Sequence, residues 1–511
     1  MFRSVLTGCL SGVDANIIHT EVDVSTGLPG FSMVGSLSNE VKEAKERVQV
    51  ALKNTDFDLP PNKITINLSP ADIRKDGTCF DLPIAVGLLG CFGLFEEDRL
   101  RGTVFLGELG LNGELKAVNG VLPIVKAAAK LGVEECIVPN GNLAEGSVIP
   151  GITVRGAEHI KQVLKFLQED EERKDELLPP GKCRLEEYLQ KAEQECFLDF
   201  AEVKGQKLAK RAAEIAAAGF HNLALSGPPG AGKSMIAKRI PGILPKLSVR
   251  ESLDVSAIYS VAGLLSEDMP IVTTRPFQSP HHTISGAALV GGGGKVRPGA
   301  ISLAHKGVLF LDELTEFPRS ILENLRQPME DKKVNIVRVH GSYVFPSDFM
   351  LVCAMNPSKC GFYPDMNKCT CTEAELHRYR GKLSGPLIDR IDMHVETQRV
   401  DLSSLSDAEV GESTAVIRER VSAARELQEK RFGGQHIQFN SQMEVQDIEK
   451  YCRLEGKEKK LMELAYNSLE LSARTYHRVL KVARTIADLE GEERILERHI
   501  SEALAYRFMR G

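Results

Sequence analysis

The stretch GPPGAGKS, Gly227 to Ser234, has the spacing G-x-x-x-x-G-K-S. An apolar run, NLALS, precedes it and an apolar helical pattern, SMIAKRI, follows. A glycine-rich turn between a strand and a helix turns successive backbone N–H groups toward one point and can cradle phosphate oxygens. Gly227, Pro228, Pro229, Gly230, Ala231, Gly232, Lys233, Ser234 and the following Met235 are therefore the expected nucleotide contacts. Lys233 pairs with the β and γ phosphates, and Ser234 is a ligand for Mg²⁺. Further along, GVLFLDE is a strand pattern ending in Asp312 and Glu313. At the carboxyl end of a parallel strand, Asp312 is placed to complete the metal shell and Glu313 to deprotonate an attacking water. The alternative for such acids is a helix cap, and for the glycines a plain turn. A third apolar run, FMLVCAMNP, delivers Asn356, whose amide suits the γ-phosphate and the water. Arg390 and Arg474 follow, and an arginine can neutralise charge on a transferred phosphoryl group. Taken alone, each arginine reads as a surface charge.

Between Asn356 and Arg390 lie Cys360, Cys369 and Cys371. Three thiols so close together admit three readings: a tetrahedral zinc site needing a fourth ligand, for which His377 is the candidate, reduced structural thiols, or a redox pair. The histidines at 281 and 282 have no third ligand in the nearby sequence and are read as hydrogen-bonding groups.

The elements that position these residues fall into regions. Residues 1–166 alternate β-rich runs (NIIHTEVDVSTG, KITINLSP, GTVFLGELG) with helical patterns (NEVKEAKERVQVALKNT, VLPIVKAAAKLG), which predicts one α/β or α+β domain. Residues 167–190 combine a charge run with Pro-Pro-Gly and read as a solvated linker. Residues 191–400 carry the strand-turn-helix patterns of a P-loop core with a parallel sheet, and 401–511 read as a helical lid. The fold class is thus multidomain α/β.

Charge is nearly balanced, 64 Lys and Arg against 70 Asp and Glu, so any nucleic-acid contact must come from local basic patches. The first residues hold no apolar run long enough for a signal-peptide core or a membrane span, which with eleven scattered cysteines predicts a reducing, cytoplasmic setting and no membrane partner.

Several longer stretches, LPGFSMVGSLSNEVKEAKERVQVAL, FDLPIAVGLL, RPFQSPHHTISGAALVGGG, RPGAISLAHKGVLFLDELTEF, LRQPMED and LSGPLIDRIDMHVE, resemble the magnesium-chelatase-like AAA+ proteins of the ComM/YifB family over nearly the whole chain. The resemblance implies an ATP- and Mg²⁺-dependent ring, usually a hexamer, that acts on single-stranded or branched DNA as a branch-migration helicase in recombination during natural transformation. It makes Asn356 the sensor 1 residue, Arg390 the arginine finger acting on a neighbour, and Arg474 the sensor 2 arginine. It also implies two DNA-contacting insertions. One, RPFQSPHHTISGAALVGGGGKVRPG, includes His281 and His282 and carries Lys295 and Arg297; the other, the hairpin KKVNIVRVHGSYVFP, carries Lys332, Lys333 and Arg338. Their basic residues beside flexible glycine suit a phosphate backbone. The cysteine stretch departs from the four-cysteine pattern of such proteins, because Ser358 stands at the first position. The N-terminal domain resembles the proteolytic domain of Lon-type proteases, with Cys79 or one of its neighbours at the nucleophile's place and Leu122 at the lysine's, so a degenerate protease fold is expected. A chelatase-type motor remodelling a protein partner, and an ATP-dependent protease, are the competing readings.

Overall fold

The computed structural model describes residues 1–192, 198–338, 341–363, 365, 367–399, 411–434 and 437–507. Strands β1 (Phe2–Ser11), β2 (Asp14–Ser25), β3 (Gly30–Val34), β4 (Lys63–Ser69), β5 (Thr103–Phe105), β6 (Glu135–Pro139) and β7 (Thr153–Ala157) make a mixed sheet in the order β3-β4-β2-β1-β5-β6-β7. Alternation along β1 and β2 sends Val5, Ile18 and Val22 inward. Helix α1 (Asn39–Asn54) is capped by Ser38, whose hydroxyl accepts from Val41 N, and buries the stripe Val41, Ala44, Val48, Ala51 and Leu52. Helix α2 (Asp81–Cys91) is apolar after Asp81, which pairs with Arg47 at 2.7 Å, and is buried along its whole length, so it is the centre of this half.

The charged stretch 167–190, mostly exposed, carries helices and packs in part on the first core. Helices cover Glu171–Leu177 and Leu185–Ala192, and Leu178 is buried against the first core. Its charges are used locally: Asp175 pairs with Arg155 at 2.7 Å, and the Lys174 ammonium lies 5.0 Å from the centre of the Phe166 ring.

The second sheet contains β8 (Leu223–Ser226), β9 (Phe277–Gln278), β10 (Val308–Leu311), β13 (Met350–Met355) and β14 (Met393–Glu396), ordered β9-β10-β13-β8-β14 with every pair parallel. A separate antiparallel hairpin joins β11 (Lys333–Arg338) to β12 (Gly341–Pro346). Strands β8, β10 and β13 are buried at every residue, as a sheet covered on both faces requires. Leu223, Leu225, Phe310 and Val352 face one core; Ala224, Leu309, Leu351 and Cys353 face the other. The first of these cores also holds residues from α4 (Lys207–Gly219), α8 (Thr414–Phe432) and α9 (Ala473–Leu489), among them Ala212, Val421 and Ile486. Helices beyond residue 411 therefore share a core with the sheet. The boundary expected between 400 and 401 lies outside the described residues.

The two halves touch. Helix α3 (Val121–Lys130) lies on α6 (Val249–Ala262): Lys126 pairs with Asp254 at 3.0 Å, and Gly120 N donates to Ser260 O at 3.1 Å. At the β1–β2 turn, Gly12 has φ +70° and admits Val344 O so closely that a Cβ would stand 2.6 Å from it. Among the described residues no helix is long and apolar enough to cross a membrane, and no cysteine is disulfide-bonded.

Candidate nucleotide site

Three adjacent parallel strands, β10, β13 and β8, end on the same edge of the sheet. Their last residues lead directly into Asp312, Asn356 and Gly227. At Gly227 a Cβ would stand 2.1 Å from Thr397 Oγ1, so the close approach of β14's end requires glycine. Gly230 and Gly232 have open space around them but φ of +78° and +81°, so there the backbone conformation is the reason. Lys233 begins α5 (Lys233–Ala237). Its ammonium donates to Gly227 O at 2.6 Å, Pro228 O at 3.0 Å and Asn356 Oδ1 at 3.2 Å. Burial lowers its pKa, and Asp312 works against that shift. Ser234 Oγ donates to Asp312 Oδ2 at 2.7 Å. Two oxygens side by side, one of them a carboxylate, are the donor set of a hard cation that keeps its remaining positions for water and phosphate, so these residues fit Mg²⁺. Met235 follows and is exposed.

Glu313 has φ +51°, a left-handed conformation that a non-glycine residue adopts at a cost of roughly 1 kcal/mol. Its side chain is 61% exposed, and its Oε2 lies 3.7 Å from His282 Nδ1. The sequence placed His282 in an insertion and gave no sign that the insertion folds back onto this carboxylate. Gln206 is a second residue that motif reading missed: its amide holds Ala231 O of the phosphate loop at 3.0 Å from a position far upstream.

The two arginines lie elsewhere. Arg390 shortly precedes β14, whose residue Met393 pairs with Leu223 at the start of β8. It is bonded to Glu330, and its Nη1 donates to Pro386 O. Arg474 opens α9 and lines a cleft of about 540 Å³ with Asp389, Asp392, His477, Arg478 and Lys481. Asp392 accepts from Asn222 N at 2.9 Å, which fixes this cleft at the amino end of β8. The phosphate loop leaves the carboxyl end, about 13 Å away along the strand. Neither arginine is brought to Lys233 within the chain.

The two insertions meet. A Cβ at Gly292 would stand 2.9 Å from Arg338 Nη2, and one at Gly291 3.0 Å from Ile336 Cδ1, so the glycine ribbon lies on the hairpin. Arg297, Lys333 and Arg338 are exposed. Lys295 is also exposed but pairs with Glu40 at the start of α1, at 2.5 Å. Lys332 is turned away to Asp348, 3.4 Å distant.

In the cysteine loop the ligand atoms of Cys360, Cys369 and Cys371 all lie within 4.8 Å of one another. Cys360 is held well below the usual thiol range, at about 6, by the Ser358 hydroxyl and the Phe362 amide. The expected fourth ligand, His377, is not in this group. Thr372 caps α7 (Glu373–Arg380) in a reciprocal box with Glu375, so the helix starts directly after Cys371. His377, five residues past the cap, is carried about 7.5 Å along the axis and is exposed.

Around the first sheet, burial pushes the Cys79 thiol strongly up, and its Sγ faces Gly8 O at 3.7 Å. Leu122 is fully buried.

Comparison with known proteins covers both halves. The family described as magnesium chelatase, subunit ChlI, matches residues 199–405. The descriptions subunit ChlI of Mg-chelatase and magnesium chelatase, subunit ChlI C-terminal, match residues 20–142 and 411–507. The chain is 42% identical over 501 residues to competence protein ComM of Haemophilus influenzae, covering 98% of this chain and 96% of that one. It is 42% identical over 509 residues to YifB of Escherichia coli, with coverage of 98% and 96%. A shorter match, 27% over 176 residues, covers 32% of this chain and 21% of Lon protease 1 of Herpetosiphon aurantiacus.

Proposed function

The chain belongs to the family of magnesium-chelatase ChlI-like proteins that includes ComM and YifB, and from that premise we propose that it is an AAA+ ATPase that works as a motor on DNA. The observation that carries the ATPase is the meeting of Lys233, Ser234, Asp312 and Asn356 at the carboxyl ends of three adjacent parallel strands. The loop amides and Lys233 bind and orient the β and γ phosphates. Ser234 and Asp312 would hold Mg²⁺, which supplies positive charge to the phosphate oxygens. Glu313 takes the proton of the attacking water, and Asn356, held by Lys233, orients that water against the γ-phosphorus.

Arg390 and Arg474 sit at the opposite edge of the sheet, so they serve a neighbouring subunit's nucleotide. This supports a ring, with six subunits the expected number. The ribbon and hairpin supply Lys295, Arg297, Lys333 and Arg338 for the phosphate backbone. The first sheet is a Lon-like domain without its chemistry: a thiol pushed up by burial, with leucine at the lysine's place, is no nucleophile at neutral pH. The relative named for competence supports a finer role, cytoplasmic branch migration of incoming single-stranded DNA during natural transformation.

The test is ATPase and unwinding activity with single strands, plain duplex, and three- and four-way junctions. Junctions are expected to stimulate hydrolysis most. Hydrolysis indifferent to every DNA would favour the second reading, a chelatase-type motor that remodels a protein partner, which the ChlI matches support.

A further inference from the structure

We propose that Glu330 is a positioning residue for Arg390: it parks the arginine inside its own subunit until DNA on the hairpin of β11 and β12 draws the carboxylate away. The proposal rests on the reading above of Arg390 as serving a neighbour's nucleotide and of the hairpin as a DNA contact.

An arginine that offsets charge on a neighbour's γ-phosphate must carry its guanidinium out of its own subunit. Here it is folded back. Nη2 donates to Glu330 Oε1 and Nη1 to Pro386 O at 2.5 Å, and only 12% of the side chain is exposed. The backbone is held separately, since Asn222 Nδ2 donates to Arg390 O at 2.8 Å beside the start of β8. Release therefore needs a side-chain rotation and no movement of the chain. The parked pose is also incomplete: Nε is buried and has no hydrogen-bond partner among the described residues. The Glu330 side chain is 55% exposed, and a half-exposed ion pair biases a side chain by a factor of a few, up to about tenfold. Such a pair holds the arginine at rest and yields to a modest pull.

The pull comes from the place of Glu330 in the chain. It lies on the short helix Arg326–Asp331, which is followed by Lys332 with φ +56° and then at once by β11. A single left-handed residue separates helix from hairpin. Met329 on the helix, Val334 and Ile336 on β11, and Leu387 and Ile391 on either side of Arg390 are buried in one core. The carboxylate, the hairpin and the arginine's backbone thus stand on a common support. Lys333, the first residue of β11, and Arg338, its last, are exposed. A phosphate backbone that engages them loads the helix end carrying Glu330. DNA on one subunit's hairpin then frees the arginine that the next subunit's nucleotide needs.

The experiment compares the full-length wild type with Glu330→Ala and the near-isosteric Glu330→Gln. Without DNA, both variants should hydrolyse ATP about three- to tenfold faster than wild type at unchanged KM. A four-way junction should add little to either, so the stimulated rate stays that of the wild type while the ratio collapses. Adding Arg390→Ala to Glu330→Ala should erase the gain. DNA-free rates at or below wild type in both variants, or a gain that survives the loss of Arg390, would overturn the parking. Stimulation by the junction as large in the variants as in the wild type would overturn the link to the hairpin. A second readout needs no hydrolysis: modification of Arg390 by phenylglyoxal in nucleotide-free protein, followed by mass spectrometry. It should run several-fold faster in Glu330→Ala than in wild type, and the junction should speed it in the wild type alone. Equal rates in the two proteins would overturn the parking, and a wild type indifferent to the junction would overturn the link. A wild-type chain that hydrolyses no ATP would defeat the motor reading, while the modification of Arg390 would still decide this one.

Discussion

In the ATPase proposed above, Lys233 binds nucleotide and Glu313 acts as base, so their substitutions should fail in different ways. Lys233 reaches three oxygens from one buried position, two of them loop carbonyls and one the Asn356 amide. Lys233→Ala removes the only ammonium bonded to the loop among the described residues, so nucleotide affinity should fall at least tenfold, measured with a fluorescent ATP analogue. Glu313 makes no hydrogen bond from its side chain to the loop and is exposed toward His282. Glu313→Gln should bind ATP as the wild type does while hydrolysis drops by roughly 10²–10⁴-fold, the range of a lost general base. Hydrolysis at the wild-type rate in Glu313→Gln would move the base elsewhere, and His282 is the first neighbour to test. The motif spacing made Lys233, Ser234 and Asp312 legible because their geometry is local to a turn and a strand end. His282 and Gln206 were not legible, because each reaches the site from a distant segment whose path is set by packing.

At the level of elements, Asp348 ties together pieces that the sequence treats as separate. It directly precedes the buried strand run and accepts from Lys306 Nζ at 2.9 Å and from Gln442 Nε2 at 3.1 Å. Lys306 also reaches Gln438 Oε1 at 3.0 Å, and Lys332 at the start of the hairpin lies 3.4 Å from the carboxylate. The strand that carries Asp312, the hairpin and the helical region thus share one buried anion. Burial pushes its pKa up, but Lys306 and Lys332 outweigh burial and hold it at about 2. A carboxyl held below its ordinary value near 3.9 stabilises the fold above that value, and loses this contribution as pH falls from about 4 to about 2. The size is about 2–3 kcal/mol. Asp348→Asn should therefore lower the urea midpoint at pH 7, and the gap to wild type should close below pH 4. A gap constant across that range would assign the loss to packing. Periodicity showed the helices of this region but not their docking, since apolar stripes do not say which face they meet. The same limit hid the folding of 167–190 against the first core, where charges that signal solvation in sequence are paired in space.

The whole molecule has two edges with different chemistry. The carboxyl edge of the second sheet carries the phosphate loop and the two acids, and the amino edge carries Arg390 and the cleft of Arg474. Order along the chain could not show this, because Asn356 and Arg390 are close in sequence yet emerge at opposite ends of parallel strands. In the head-to-tail ring proposed above, the amino edge of one subunit would meet the carboxyl edge of the next. Arg390→Ala should then bind nucleotide normally and lose hydrolysis by at least 10³-fold, the scale of a missing arginine finger. Lys233→Ala should be equally inactive for a different reason. In mixed rings an Arg390→Ala subunit keeps Lys233 and Glu313, and a Lys233→Ala neighbour keeps Arg390, so one interface in each favourable pairing is complete. With random assembly of equal amounts, about a quarter of the interfaces carry an intact loop facing an intact arginine. Mixing two inactive variants should therefore restore up to about that fraction of wild-type turnover, provided the sites fire independently. Native mass spectrometry would establish that the rings are mixed. Mixed rings with no recovered activity would remove Arg390 from the neighbour's reaction and leave its pairing with Glu330 as a contact within one subunit.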